Sequence, residues 1–365
     1  MPLNSESITH DPAAITDRME AELRAICDEA PRVWATCLEQ TTSIDMAHNP
    51  WVLTGCGDSY YAALSMRFIL ERLTQQPVVA WSAMEVTAYP SRLLHSSALV
   101  GVSVSGKVGR TIEAVQAHRA AGHMTAAVTA FGDSDLGQAA DHVIATGTRG
   151  TPGPVPGTAN YMGSLLGLLA LGVATAPREN RADLESTIGT LLRTLPDLLV
   201  ASTRLGEVVA QDLTEPFFVV GSGPDSGTAH YTVAKFLEAA ATVGVAQDLE
   251  EWAHEQYFAT DEGTAVVVIA NDTPSQRRAA DVVKMARTVG AKVISVGNFA
   301  SSDADFTFEL PAAAPGLSPL VSWVPGAAMA LAYSRHYRRY PFGIDRAGRM
   351  RTVDTNIYVP APTRA

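Results

Sequence analysis

Cysteine, long apolar runs and positive charge are all scarce in this chain of 365 residues. The three cysteines, Cys27, Cys37 and Cys56, are an odd number without CxxC spacing. A disulfide framework and a zinc cluster are therefore not expected, and a reducing cytoplasm is the compartment that fits best. No other grouping of His, Cys and Asp has the spacing of metal ligands, so the sequence predicts neither a metal nor another cofactor.

Membrane-targeting features are also missing from the sequence. Residues 1–16 carry acids and no apolar core, so they do not form a signal peptide. The longest largely apolar stretch, residues 162–176, is interrupted by three glycines. It is shorter than the ~18 residues that a membrane span requires. This stretch predicts a buried helix, and no membrane association is expected.

Basic residues are fewer than acidic ones: the chain has 27 Lys and Arg and 38 Asp and Glu, which gives a formal net charge of −11. This acidic balance argues against a nucleic-acid partner, which requires a basic surface. It does not exclude a small anion, because a few backbone amides and hydroxyls can bind one phosphate. With 47% hydrophobic residues, the chain can form packed cores, and its length predicts about two domains.

The chain contains two copies of one α/β pattern. An apolar strand at 51–54 leads into Gly55-Cys56-Gly57 and a helix, and a strand at 217–220 leads into Gly221-Ser222-Gly223 and another helix. Later strands, at 98–104 and 125–130, recur at 265–270 and 291–296. The glycine turn and the two later strands all recur at the same distance along the chain, which is the distance from Gly55 to Gly221 and is called the repeat offset below. This constant offset predicts an internal duplication. Strands that alternate with helices predict parallel sheets with helices on both faces.

We therefore predict an α/β fold with two tandem doubly wound parallel-sheet domains. Asp11-Pro12 is a typical helix start, so an N-terminal helix is expected before the first domain. The expected organisation is an N-terminal helical segment (1–40), a first domain (41–180), a linker helix (181–212), a second domain (213–340) and a C-terminal arm (341–365).

In the first copy, hydroxyl side chains cluster where strands end. Ser103 and Ser105 precede Gly106 and a helix that contains Thr111, and Ser59 lies at the matching place of the first strand–helix turn. Hydroxyls, free N–H groups and the positive end of a helix dipole together predict a phosphate site. The alternative is that these residues only cap helices.

The second copy helps to decide between these two interpretations. The positions one repeat offset after Ser103 and Ser105 are Ile269 and Asn271, so the fold does not require the hydroxyls. A phosphate site in the first copy alone is therefore favoured. The Gly-x-Gly turns lack the final Gly or Ala of a dinucleotide fingerprint, since Tyr60 and Ser226 occupy that position, so nicotinamide binding is not expected.

The second copy carries candidate acid–base residues. Lys235 and Glu238 are three residues apart and share a helix face, and His254 follows in an acidic segment. A carboxylate on an apolar helix with a nearby histidine suits proton transfer on a carbohydrate. Taken alone, however, these residues favour a salt-bridged surface helix followed by a solvated acidic loop.

Several motifs together resemble the tandem sugar isomerase (SIS) domain family. The segment Cys56–Tyr60 (CGDSY) is similar to the family's CGTSY-like loop, and residues 102–106 are similar to its SxSG phosphate loop. Residues 155–158 lie where the family has another substrate loop. Lys235 and Glu238 match its K-x-x-E helix, and His254 follows Glu238 at the spacing that the family shows between its catalytic glutamate and histidine. The resemblance extends from about residue 8 to about residue 355, and it is strongest to the isomerase half of glucosamine-6-phosphate synthase and to phosphosugar deaminases and deglycases.

This resemblance implies a flavodoxin-like SIS fold and an enzyme without a cofactor. Glu238 would move a proton between C1 and C2 of an open-chain sugar phosphate, and His254 would assist ring opening. In relatives the histidine reaches the neighbouring subunit's site, which implies a homodimer with shared active sites. The implied substrate and phosphate ligands are Ser59, Ser103, Ser105, Lys107, Thr111, Gly57, Thr158 and Lys235.

The chain also departs from the family pattern. Asp58 replaces the usual threonine, and Lys107 replaces the usual glutamate. No cysteine-led glutaminase segment is recognised, so glutamine-dependent synthase activity is not expected. The expected function is isomerisation of a sugar phosphate or aminosugar phosphate, or deamination or deglycation coupled to it. Two alternatives stay open: an isomerase of an unusual or unphosphorylated sugar in secondary metabolism, and a non-catalytic phosphosugar sensor.

Overall fold

The computed structural model describes residues 11–345, apart from 42, 43, 45, 47, 48, 90, 152–154, 272 and 300–302. These residues form two parallel five-stranded sheets. The elements of the first half are α1 (Pro12–Glu39), β1 (Trp51–Gly55), α2 (Asp58–Thr74), β2 (Val78–Ser82), α3 (Ala83–Ala88), β3 (Ala98–Val102), α4 (Gly109–Ala120), β4 (Thr125–Thr129), α5 (Asp135–Ala139), β5 (His142–Ala145) and α6 (Ala159–Thr175).

Two helices connect the sheets, α7 (Arg178–Leu192) and α8 (Leu195–Val209). The elements of the second half are β6 (Phe217–Gly221), α9 (Pro224–Ala240), β7 (Gly244–Gln247), α10 (Leu249–His254), β8 (Ala265–Ile269), α11 (Thr273–Thr288), β9 (Lys292–Val296), β10 (Phe306–Phe308) and α12 (Pro319–His336). Short 3-10 turns lie at 92–96, 210–212, 256–259 and 341–343.

Both sheets have the same strand order. The first is β2-β1-β3-β4-β5, and the second is β7-β6-β8-β9-β10. The bounds of β6 and α9 each lie one repeat offset after those of β1 and α2. The predicted fold class, a doubly wound α/β fold with two such units in tandem, is confirmed.

Helix α1 starts as its sequence predicts. Asp11 caps the helix by accepting a hydrogen bond from Ala13 N at 3.0 Å, and Pro12 occupies the first helical position. Ile15, Met19 and Leu23 then bury one face of the helix, because they recur at helical spacing.

One continuous hydrophobic core joins both sheets. It contains one face of each sheet together with α1, α2, α6, α9 and α12. The outer face of the first sheet packs against α3, α4 and α5, and that of the second sheet packs against α10 and α11. Helix α6 is buried along most of its length, as predicted for residues 162–176. None of the described helices is both long and apolar enough to cross a membrane.

Helices α2 and α9 cross closely at Gly227. A Cβ atom there would lie 2.5 Å from the carbonyl oxygen of Tyr61 and would overlap the Ser65 hydroxyl. These distances are far below normal contacts, so only glycine fits this crossing. The crossing positions the first turns of the two helices, from which the candidate site is built.

Two expectations about the elements need correction. The sequence predicts three strands in each copy, whereas each sheet has five. The additional strands β2, β5, β7 and β10 lie at the sheet edges and are only partly buried, so they do not need a continuous apolar run. The linker is two helices rather than one, since Pro196 lies in the first turn of α8 and proline cannot continue a preceding helix. The predicted arm beyond Asp345 lies outside the described residues.

Candidate active site

The switch point of the first sheet lies between the carboxyl ends of β1 and β3, where doubly wound folds bind ligands. Ser59, in the first turn of α2, and Ser103, directly after β3, are both buried there. A Cβ atom on Gly55 would lie 3.0 Å from Ser59 Cβ and 2.9 Å from Val102 O, so the two strand ends and α2 are tightly juxtaposed. Ser103 Oγ has no hydrogen-bond partner among the described residues. The structure thus brings Ser59 and Ser103 together at the predicted place.

The other predicted phosphate ligands surround this point. Gly57 caps α2 with φ of +56°, a conformation that favours glycine. Thr111 is buried in the first turn of α4, with its Oγ1 3.9 Å from Cys56 Sγ. Ser105 and Lys107 are exposed, and the backbone N–H of Lys107 donates to Ser105 Oγ at 3.2 Å. All of them lie in the loops that follow β1 and β3 or in the first turn of the next helix.

The second sheet fills its own switch point. Asp225, the counterpart of Ser59, is fully buried and accepts a hydrogen bond from the backbone N–H of Asn271 at 2.8 Å. Asn271 is the counterpart of Ser105. In the described part of the first sheet, the backbone N–H of Ser105 makes no such bond. The second sheet therefore holds a side-chain carboxyl at the position that Ser59 occupies in the first sheet.

An ion cluster around a buried lysine connects the two halves of the chain. Lys235 is fully buried, and its Nζ lies 2.6 Å from Asp58 Oδ2 and 2.5 Å from Glu238 Oε2. The same nitrogen donates to the carbonyl oxygen of Gly157 at 3.1 Å. An ammonium group has three donors, so these acceptors use all of them. Lys235 was predicted to be a substrate ligand, but the geometry gives it the role of holding two carboxylates.

The charges of this cluster perturb one another. Burial raises the pKa of Glu238 above the usual range; Lys235 opposes this effect and Asp58 adds to it. Burial alone would lower the pKa of Lys235, but the two carboxylates outweigh it and hold that pKa above its usual value. Lys235 therefore stays an ammonium, and Glu238 binds a proton more readily than an ordinary glutamate.

Thr158 is engaged within the protein. It is buried before the first turn of α6, and its N–H and hydroxyl donate to Glu22 Oε1 at 2.7 and 3.3 Å. Glu22 also accepts from the N–H groups of Thr151 and Ala159, at 2.7 and 3.0 Å. A negative charge is favourable at a helix N-terminus. The loop that carries Gly157 is thus fixed from α1.

Replacement of Glu22 by glutamine is expected to lower the free energy of unfolding by about 2 kcal/mol, because the amide loses the charge-assisted bonds and turns a donor towards N–H groups. Urea unfolding would measure this change. The control is Glu29→Gln, since Glu29 is an exposed glutamate of the same helix. Equal midpoints for the two variants would contradict the assigned role of Glu22.

His254 is not brought to the cluster within one chain. It ends α10 and is exposed, and its Nε2 lies 3.5 Å from Glu250 Oε1. Within the described residues, none of its hydrogen bonds or ion pairs reaches Glu238. Its predicted catalytic role therefore stays a prediction.

Sequence reasoning missed three carboxylates. Asp58 was noticed only as a departure from the family pattern, and its contact with Lys235 depends on tertiary structure. Glu22 had a readable signal, because an acid on the buried face of an apolar helix needs buried partners. Asp225 could have been found by applying the repeat offset to Ser59.

Comparison with known proteins supports the family. Residues 48–174 match the model of the SIS domain. The chain is 24% identical over 328 residues to the glutamine–fructose-6-phosphate aminotransferase (isomerizing) of Pyrococcus horikoshii, covering 88% of this chain and 52% of that protein. The same enzyme of Clostridium acetobutylicum is 24% identical over 299 residues, covering 80% and 48%. The chain thus spans about half the length of these curated relatives.

Solved structures share the fold over most of the chain. The C-terminal domain of glucosamine-fructose-6-phosphate aminotransferase from Francisella tularensis aligns with a TM-score of 0.77 at 16% identity, covering 89% of this chain and 97% of that one. Glucosamine-6-phosphate deaminase from Thermotoga maritima aligns with a TM-score of 0.72 at 20% identity, covering 87% and 95%. The matched segment contains the whole first sheet, and the second sheet repeats its strand order. The first half of the chain therefore contains a SIS domain, and the chain as a whole shares the fold of these solved structures.

Proposed function

We propose that this protein is an enzyme of the phosphosugar isomerase type, which transfers a proton between C1 and C2 of an open-chain sugar phosphate or aminosugar phosphate. The proposal covers aldose–ketose isomerisation, and deamination or deglycation coupled to it. The observation that carries it is the contact between Lys235 and Asp58. Lys235 also binds Glu238, and Asp58 directly precedes Ser59, so this contact brings Glu238 towards the proposed phosphate site. The names of the structural neighbours, among them a glucosamine-6-phosphate deaminase and a tagatose-6-phosphate ketose/aldose isomerase, support this class of substrate.

Glu238 has the chemistry that this reaction needs. A proton on the carbon next to a carbonyl is weakly acidic, so its removal requires a base held close to it. Glu238 would take the proton from C2 while the C1 carbonyl oxygen gains one, which gives an enediol. It would then return its proton to C1 while the C2 hydroxyl loses its proton, which gives the ketose. A positioned general base contributes roughly 10²–10⁴-fold in rate, most when its pKa approaches the working pH. The raised pKa of Glu238 moves it in that direction.

The phosphate would bind at the first switch point. The hydroxyls of Ser59 and Ser103, the N–H of Ser105 and the first turn of α2 are the proposed donors. Asp225 supports this assignment, because at the equivalent place of the second sheet a carboxylate accepts the corresponding N–H.

His254 would act from a second copy of the chain in a cytoplasmic homodimer. Its ring is exposed in the single chain, and Phe258, in the same segment, is 81% exposed. A large apolar side chain beside an exposed histidine suits a contact between subunits. In such a dimer His254 would assist opening of the sugar ring.

Deuterium exchange tests the proposed function. Purified protein would be incubated in D₂O with hexose 6-phosphates, 2-amino-hexose 6-phosphates and fructosamine 6-phosphates, and proton NMR would follow exchange at C1 and C2 and any released amine. We expect exchange with at least one of these substrates. No exchange with any of them would contradict the proposal.

The phosphate contact is tested with Ser103→Ala, which removes a buried donor. We expect KM for the sugar phosphate to rise about tenfold, since one such hydrogen bond contributes roughly 1.5 kcal/mol. Ser202→Ala is the matched control, because Ser202 Oγ is also buried without a partner in the described residues but lies on α8. An unchanged KM in Ser103→Ala would contradict phosphate binding at β3.

A further inference from the structure

Asp58 has no role yet in the proposed proton transfer. It stands where the CGTSY-like loop of the SIS domain family usually has a threonine. It begins α2 directly before Ser59, and its Oδ2 lies 2.6 Å from Lys235 Nζ. Its other carboxylate oxygen is buried and has no hydrogen-bond partner among the described residues. Lys235 is therefore the contact that compensates the charge of Asp58.

A lysine paired with a single glutamate would weaken that glutamate as a base. An opposite charge within about 4–6 Å lowers a carboxyl pKa by roughly 1–3 pH units. Asp58 changes this balance, because Lys235 divides its hydrogen bonds between Asp58 and Glu238. With both carboxylates ionised the cluster has a net charge of −1, and one added proton makes it neutral. The presence of Asp58 thus favours proton uptake by its neighbour.

Other groups also face Glu238. Lys235 contacts it from the same helix, the carboxylate of Glu22 acts from α1, and the phenols of Tyr61 and Tyr231 act from α2 and α9. Burial raises the pKa of both phenols, so they stay neutral at physiological pH. Glu22 is held by its bonds to the 151–159 loop and makes no hydrogen bond to Lys235. Of the acids that act on Glu238, Asp58 is the one found to share Lys235 with it.

We propose that Asp58 is a positioning residue that shares the Lys235 ammonium with Glu238 and thereby sets how strongly Glu238 holds a proton. The effect on Glu238 follows from the ion cluster alone. Its catalytic consequence rests on the proposed function, because Glu238 must be ionised to accept the substrate proton and basic enough to remove it.

The direct test is a titration of the Glu238 carboxyl by carbon-13 NMR in protein labelled at the glutamate side-chain carboxyls. The signal of Glu238 is identified by its absence from Glu238→Gln. In Asp58→Asn, which keeps the shape and removes the charge, we expect the midpoint to fall by about 1–2 pH units. The control Asp197→Asn removes an exposed aspartate from the first turn of α8 and is expected to leave the midpoint unchanged.

An unchanged or higher midpoint in Asp58→Asn would overturn the proposal. Asp58→Thr, which restores the residue usual in the family, is the second variant and must show the same fall if Asp58→Asn does not fold. In the active enzyme, the acid limb of log(kcat/KM) should move to lower pH with the carboxyl midpoint. The plateau of kcat should drop about 3–10-fold, because a weaker base removes the proton more slowly. A wild-type protein that exchanges no sugar proton would contradict the proposed function, while the titration would still decide the role of Asp58.

Discussion

Glu238→Gln is expected to lower proton exchange between C1 and C2 of the substrate by about 10²–10⁴-fold. Glutamine has nearly the shape of glutamate and can still accept a hydrogen bond from Lys235, but it cannot take up a proton at the pH of the reaction. The substrate phosphate would bind at Ser59 and Ser103, and no hydrogen bond joins either serine to Glu238 among the described residues. Ligand affinity should therefore change little.

Exchange in D₂O and ligand-induced thermal stabilisation would be measured side by side for this variant. Glu207→Gln, an exposed glutamate of α8, is the control for loss of one carboxylate. Loss of binding together with exchange would contradict the assignment of Glu238 as the base. A wild-type protein that binds sugar phosphates without exchanging any proton would instead favour the sensor that the sequence left open.

Gly227→Ala is expected to lower the free energy of unfolding by about 3 kcal/mol or more. The added methyl would meet the backbone of Tyr61 and Ser65 on α2, and backbone atoms cannot move aside unless the two helices separate. Such a separation would also disturb the contact between Lys235 and Asp58, since the same two helices carry these residues.

Urea or thermal unfolding would measure this loss. Gly189→Ala in α7 is the matched control, because the added Cβ would find only Arg193 Nη1 at 3.5 Å, an ordinary contact. That variant should be stabilised by about 0.5–1 kcal/mol, since alanine favours a helix over glycine. A comparable change in both variants would contradict the close crossing at Gly227.

The sequence predicts those parts of the fold that depend on local pattern. The cap at Asp11, the glycine turns after β1 and β6 and the constant repeat offset are all visible in the sequence, and they predict the two similar parallel-sheet units that the structure shows. The edge strands β2, β5, β7 and β10 are less visible, because a partly buried strand does not need the continuous apolar run of a central one.

The candidate site was predictable to a smaller extent. Ser59 and Ser103 could be placed together, since parallel strands end at one edge of their sheet. The contact of Asp58 with Lys235 joins residues 177 positions apart, and no local pattern reports it. The proposed role of His254 depends on a second chain, so neither its spacing from Glu238 nor the fold of one chain tests it.

Asp225 has a consequence for ligand stoichiometry. A chain with two sheets of the same order offers two equivalent switch points, yet the second is permanently satisfied by its own carboxylate. Each chain should therefore saturate at one equivalent of anionic ligand, and a dimer at two.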